Sequence, residues 1–200
     1  MAYCDWSTRR RWDARLQLLA AARASLEAEQ LRVERDEHAR QAHIDELTGL
    51  ANRRGYTRHV DRLQTLGDRR AVAVLVVDID AFKAVNDRFG HSVGDAVLVQ
   101  VARVLSGGIR GADLVARLGG DEFLVLLDGL DAPAARRRAA DMVQRVERLD
   151  WSALAPGLGV GISIGIAIGR SNDPQPFLVR ADEALYRSKR RGGGIALADD

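Results

Sequence analysis

The sequence predicts an α/β sandwich: a mostly antiparallel central sheet flanked by helices and preceded by a long N-terminal helix. Three observations carry this. The run "AVAVLVVD" at 71–78 is continuous, apolar and β-branched, as a strand buried on both faces is. In "DLVARLGGDEFLVLLD" two short apolar runs meet across Gly119 and Gly120, the pattern of a β-hairpin. Segments with apolar residues at helical spacing lie between and after these runs, and strands and helices mixed in that way with a hairpin make such a sandwich.

The elements follow in order. From Met1 to Thr48 there is no glycine or proline, and Ala, Leu, Glu, Arg and Gln dominate, so one long helix is expected. Trp12, Leu16, Leu19, Arg23, Leu26, Gln30, Val33, Glu37, Arg40 and Ile44 alternate four and three apart, an imperfect coiled-coil seam. A dimeric stalk over 1–44 is therefore predicted slightly ahead of a solvated single helix, with a globular domain over 45–200. Within that domain "GDAVLVQVARVL" (94–105) and "APAARRRAADMVQRVERL" are predicted helices, the "RRR" at 136–138 forming a solvated face. "GVGISIGIAIG" alternates small residues with isoleucine like a strand, and its glycines let a neighbour pack close on one face. "PFLVRADEALYRSKRRGG" is a helix with a proline at its start and glycines past its end.

Composition narrows the function classes. The formal charge is only +2, with acids and bases interspersed, and no nucleic-acid groove is called for. Cys4 is alone and cannot form an internal disulfide, which fits a reducing compartment. The longest apolar stretches fall well short of the roughly 20 residues of a spanning helix, and no signal peptide is visible. A soluble, cytoplasmic chain is expected. Of 30 basic residues only Lys83 and Lys189 are lysine.

Asp78 ends the central strand, where open α/β sheets carry functional side chains. Asp121 and Glu122 occupy the hairpin tip. If the hairpin pairs beside the central strand, three carboxylates converge, and their repulsion calls for a divalent cation. Gly119 and Gly120 leave room for a phosphate or base to approach the backbone. Taken singly, Asp78 reads better as an N-cap for "AFKAVNDRFG", and Asp121 and Glu122 as a polar turn. Their combination with Asn86, Asp95, Lys83 and Lys189 shifts the balance toward chemistry.

The motifs "DELTGLANRR" (45–54), "DIDAFKAVNDRFGHSVGD" (78–95), "RLGGDEF" (117–123), "SIGIA" (163–167) and "ADEALYRSKRRG" (181–192) stand in one order. In these the chain strongly resembles the GGDEF family of diguanylate cyclases, with a nucleotidyl-cyclase palm-like fold. The resemblance covers about residues 45–192. It implies condensation of two GTP into cyclic di-GMP and two pyrophosphates, by a homodimer using two Mg²⁺ or Mn²⁺ per site. By the same resemblance Asp78, the Ile79 carbonyl and Asp121 hold metal, and Glu122 completes that site or helps deprotonate the attacking 3'-hydroxyl. Asn86 and Asp95 read guanine, since a carboxylate accepts from the ring N–H and exocyclic amine that adenine does not pair. Lys83 and Lys189 contact phosphates, as compact ammonium charges rather than planar guanidinium groups. His91 is read as a structural histidine at a turn.

One departure stands out. The family pattern runs Gly-Arg-Asn after the last lysine, whereas this chain has Gly192, Gly193 and Gly194, with Arg190 or Arg191 as possible substitutes for the missing phosphate contact. Arg110 and Asp113 form an R-x-x-D pair ending before Gly119 at the spacing of the family's product-inhibition site; the bland alternative is a surface ion pair worth at most about 1 kcal/mol. Two other functions compete with the cyclase. A silent nucleotide receptor would usually have altered tip acids, and an ATP-using cyclase would lack the guanine-reading pair.

Overall fold

The computed structural model describes residues 43–66, 70–170 and 173–198, and the expected stalk falls almost wholly outside them. His43–Asp200 form one compact unit. Its elements are α1 (Arg53–Leu66), β1 (Ala71–Ile79), α2 (Phe82–Phe89), α3 (His91–Ser106), β2 (Leu114–Gly119), β3 (Glu122–Asp128), α4 (Ala132–Glu147), a short 3₁₀ turn (Trp151–Ala153), β4 (Ile162–Arg170), α5 (Gln175–Arg190) and β5 (Ile195–Leu197).

The five strands lie in the order β2-β3-β1-β4-β5. β1 runs antiparallel to both neighbours, β3 and β4, and is buried from Val72 to Ile79, as its unbroken apolar run predicts of a central strand. The predicted hairpin is β2–β3, closed by Gly120 and Asp121. β5 pairs parallel to β4, a short addition that the sequence pattern does not announce.

Because side chains alternate along a strand, β1 feeds two cores. Ala73, Leu75, Val77 and Ile79 face the larger, which α3 and α4 cover through Val97, Val101, Leu105, Ala139 and Met142. Val72, Val74 and Val76 face the other, covered by Tyr56 and Val60 of α1 and Ala181 and Leu185 of α5. The small residues of β4 serve the second face as expected. A Cβ placed on Gly165 would lie 2.0 Å from the Ala181 carbonyl oxygen, so α5 rides directly on the strand there.

Helix starts show why the chain turns where it does. Asn52 accepts from the Arg54 and Gly55 N–H groups and opens α1, and Asp131 accepts from Ala134 N–H and opens α4. α3 begins at His91, not at Gly94, which places Asp95 inside the helix and His91 at its first residue.

Candidate active site

The register of the sheet builds the site. Asp78 is opposite Glu122 on β3 and opposite Ser163 on β4. Residues in register share a face, so these three side chains form a row on the side that α5 covers. Asp121 follows at the hairpin tip, half-buried, while Glu122 is exposed and Asp78 is only 7% exposed. The hairpin pairs beside the central strand, which sets Glu122 next to Asp78 with Asp121 one residue further on. Asp78 does not cap α2: that position is Ala81, whose backbone sits in the left-handed region at φ 52° and which makes no side-chain cap. An alanine there costs roughly 1–2 kcal/mol, and the strain falls at the bend between the acidic strand end and α2.

Lys189 Nζ lies 2.7 Å from Asp78 Oδ1, because α5 lies along the face that Asp78 shares. Burial pushes the Asp78 carboxyl above the ordinary aspartate range. The Lys189 contact pulls it back, and Asp121 and Glu122 push it up again. Burial is thus what leaves the carboxyl raised, and one half-exposed ammonium faces three carboxylates there. Among the described residues no three acidic, histidine or cysteine side chains are gathered into a ready-made cation cage. Yet the donors are all hard oxygens, and a set of carboxylates at one strand end fits a divalent cation.

Asp80 continues the strand end. Its Oδ1 accepts from Ser163 Oγ at 2.6 Å and its N–H donates to the Gly161 carbonyl. A Cβ on Gly193 would come within 3.4 Å of Asp80 Oδ2 and 3.3 Å of Ser163 Oγ, so the glycine run packs beside this pair. Of the possible substitutes for the missing arginine, Arg190 stacks over the Tyr186 ring at 5.9 Å and Arg191 is exposed at the α5 C-cap. The basic group at Asp78 is Lys189. Lys83 is exposed in the first turn of α2, Asn86 is half-buried on the same helix, and Asp95 is exposed on α3.

Sequence reasoning missed Arg117. Its guanidinium donates through Nε and Nη2 to the Gly120 carbonyl, 3.0 and 2.8 Å, and through Nη1 to Asp45, 3.1 Å. Asp45 in turn accepts from the Thr48 N–H and hydroxyl. One planar fork therefore ties the hairpin turn to the 43–52 segment. The signal was present in "RLGGDEF" and "DELTGL", but their pairing spans 72 residues.

Burial pushes the Asp45 carboxyl up, but the Thr48 contacts and Arg117 outweigh it and hold it below 3.8. The stability it contributes is thus present above that value and lost as pH falls through the lower folded one. Asp45→Asn should cost about 1–2 kcal/mol in urea unfolding at pH 7, and the gap to the parent protein should close as pH falls below 3.8 through the lowered folded value. A gap that persists unchanged in acid would show that the charge is not what holds the turn.

At the other end of β2–β3, Arg110 and Asp113 close a turn. Asp113 Oδ2 accepts from Arg110 N–H and Oδ1 from Asp128 N–H, both at 2.9 Å. Asp113 therefore makes local backbone bonds rather than a side-chain ion pair with Arg110. A cavity of about 350 Å³ opens there, lined by Arg110, Asp113, Asp128, Arg137, Arg138 and Asp141 among others. The 136–138 arginines are not simply a solvated face: Arg138 donates to the Gly107 carbonyl and lies 3.6 Å from Asp141. Among the described residues no helix is long and apolar enough to cross a membrane.

The chain resembles known proteins over this whole unit. A family model described as "Diguanylate cyclase, GGDEF domain" matches residues 42–194. The diguanylate cyclase TpbB of Pseudomonas aeruginosa is 41% identical over 163 residues, which are 78% of this chain and 37% of TpbB. The response regulator PleD of Caulobacter vibrioides is 40% identical over 156 residues, 74% of this chain and 34% of PleD. The chain thus spans about a third of the length of these relatives. Among solved structures, the coiled coil and GGDEF domain of DgcB from Caulobacter crescentus, in complex with c-di-GMP, superposes with a TM-score of 0.79 at 28% identity, covering 93% of this chain and 98% of that one. The GGDEF domain of TpbB superposes with a TM-score of 0.67 at 38% identity, covering 75% and 97%. With the row of acids, the hairpin tip and α5 in the places described, the chain belongs to the GGDEF-domain family of diguanylate cyclases.

Proposed function

We propose that the chain condenses two GTP molecules into cyclic di-GMP and two pyrophosphates. The observation that carries this reading is the register of Asp78 with Glu122, which sets the strand-end acid beside the hairpin-tip acids under Lys189. Asp78, the Ile79 carbonyl, Asp121 and Glu122 are the groups that would hold Mg²⁺ or Mn²⁺, two per site. Bound there, divalent cations supply the positive charge that polarises an α-phosphate and favours departure of pyrophosphate. Asn86 and Asp95 hold the guanine edge. Lys189 and Lys83 take phosphate oxygens, and Gly119 and Gly120 leave room for the phosphates to approach the turn. Glu122, exposed at the tip, accepts the proton of an incoming 3'-hydroxyl; its oxygen bonds to the α-phosphorus as the bond to the β-phosphate oxygen breaks.

A site of this kind holds one GTP, so the two attacks require two copies facing each other. The predicted seam over 1–44 supplies a means of pairing, and DgcB, whose solved fragment includes a coiled coil, supports that assignment. The cavity beside Arg110 and Asp113 supports a product site, because it offers an arginine fork, carboxylates and further arginines away from the hairpin tip.

The deciding experiment is chromatography of products formed from GTP and Mg²⁺ across a range of enzyme concentrations, with and without added cyclic di-GMP. Cyclic di-GMP should appear, specific activity should rise with concentration, and removing residues 1–44 should lower it. Arg110→Ala should relieve product inhibition while turnover continues. Absence of a cyclic product would overturn the reading; constant specific activity in a proven monomer would overturn the dimer, and equal inhibition of the parent and Arg110→Ala would overturn the product site.

A further inference from the structure

We propose that Gly94 is a specificity-determining positioning residue, the floor against which Asn86 is held for reading the base. The inference rests on the assignment of Asn86 and Asp95 to guanine. Gly94 is buried in the second half-turn of α3, next to Asp95. A Cβ built on it would lie 1.9 Å from Asn86 Oδ1 and 3.0 Å from Asn86 Cγ, with Phe82 Cζ at 3.3 Å. The Asn86 carboxamide therefore rests on the bare Cα of Gly94, with the Phe82 ring alongside.

The backbone gives no other reason for glycine here. Gly90, Gly119 and Gly120 have positive φ, where a side chain is strained, but Gly94 is ordinary helix. In a helix interior glycine is worse than alanine. What the position gains is the space that the missing methyl leaves, and Asn86 fills it. Asp95 follows one residue later on the exposed side of the same turn, so a single turn of α3 sets the Asn86 amide and presents the Asp95 carboxylate.

The consequences for stability and for recognition have opposite signs. The atoms that would clash belong to the end of the Asn86 side chain, which can rotate away without moving the helices. Gly94→Ala should therefore melt no lower than the parent protein. Its Asn86 amide, however, can no longer lie where it does, and GTP binding should weaken about tenfold, as loss of a base hydrogen bond does.

The test is a binding and kinetic cycle on the full chain with four proteins: parent, Asn86→Ala, Gly94→Ala and the double variant. GTP and ATP affinities are measured by equilibrium binding, together with KM and kcat for GTP. We expect Gly94→Ala to lose GTP affinity and GTP-over-ATP preference, with the loss in KM rather than kcat. Because Asn86→Ala has no amide left to displace, adding Gly94→Ala to it should cost no further affinity. Additive losses in the double variant, or parent-like GTP affinity in Gly94→Ala while Asn86→Ala is weakened, would overturn the role of Gly94 alone. Parent-like affinity in Asn86→Ala would instead overturn the guanine assignment and this inference with it. A Gly94→Ala protein that melts well below the parent would show that the glycine serves helix packing, and would also overturn it.

Discussion

Alanine at Asp78 or at Asp121 is expected to abolish formation of cyclic di-GMP, by more than about a hundredfold, since even an outer-shell partner of a metal ligand is worth 10- to 100-fold. Neither change opens a cavity in the cores, because Asp78 is at the strand end and Asp121 is in the turn. Both variants should keep the parent circular dichroism spectrum. Asp78→Asn makes the point more sharply. Burial and the neighbouring acids raise the Asp78 carboxyl above 3.8, so the folded protein loses stability as pH rises from that value through the raised one, and the penalty persists at neutral pH. Asparagine removes the penalty. Asp78→Asn should be inactive yet melt no lower than the parent at pH 7. Substantial turnover in any of these variants would show that the acids do not form the site, and a large fall in melting temperature of Asp78→Asn would show that the Lys189 contact outweighs burial.

Gly165→Ala should be the most damaging alanine substitution among the described glycines. The added carbon would lie 2.0 Å from the Ala181 oxygen, 2.3 Å from the Leu185 nitrogen and 2.8 Å from the Leu185 Cα. All three are backbone atoms of α5, and no rotamer change removes them. Either α5 lifts from β4 or the strand bends, at a cost of about 3 kcal/mol or more. For a domain of this size that corresponds to a fall of roughly 6–12 °C in melting temperature. Gly169→Ala is the control: its methyl would meet the Phe177 ring at 2.2 Å, a side chain that can turn aside. Gly165→Ala should therefore melt well below Gly169→Ala. Equal melting temperatures would show that the strand–helix contact at Gly165 is not rigid.

What the sequence made legible is what repeats or is chemically rare. The unbroken run at 71–78 identifies the central strand, the paired glycines identify the hairpin, and the small residues of β4 anticipate the close seat of α5. The acids at 78, 121 and 122 were legible only in combination, because three carboxylates brought to one sheet edge repel one another without a cation. Other features were hidden for physical reasons. α1 is mostly polar, and among its described side chains only Tyr56 and Val60 turn fully inward, so its periodicity is faint. β5 is three residues long. Alanine carries no signal of the left-handed backbone at position 81. The Arg117 fork and the Lys189–Asp78 pair join distant segments, and only the sheet register and the seat of α5 bring them together.

The Lys189–Asp78 pair makes two opposite charges compete for one another's company. A cation that took the Asp78 oxygen would set the ammonium free, and an anion that drew Lys189 away would uncover the carboxylate. Neither ligand alone leaves both groups satisfied, whereas together they do. By linkage, each must then strengthen the other's binding by the same factor. On the proposed function, a nucleotide arriving with its cation already attached would replace the internal pair in one exchange, without leaving either Lys189 or Asp78 uncompensated on the way.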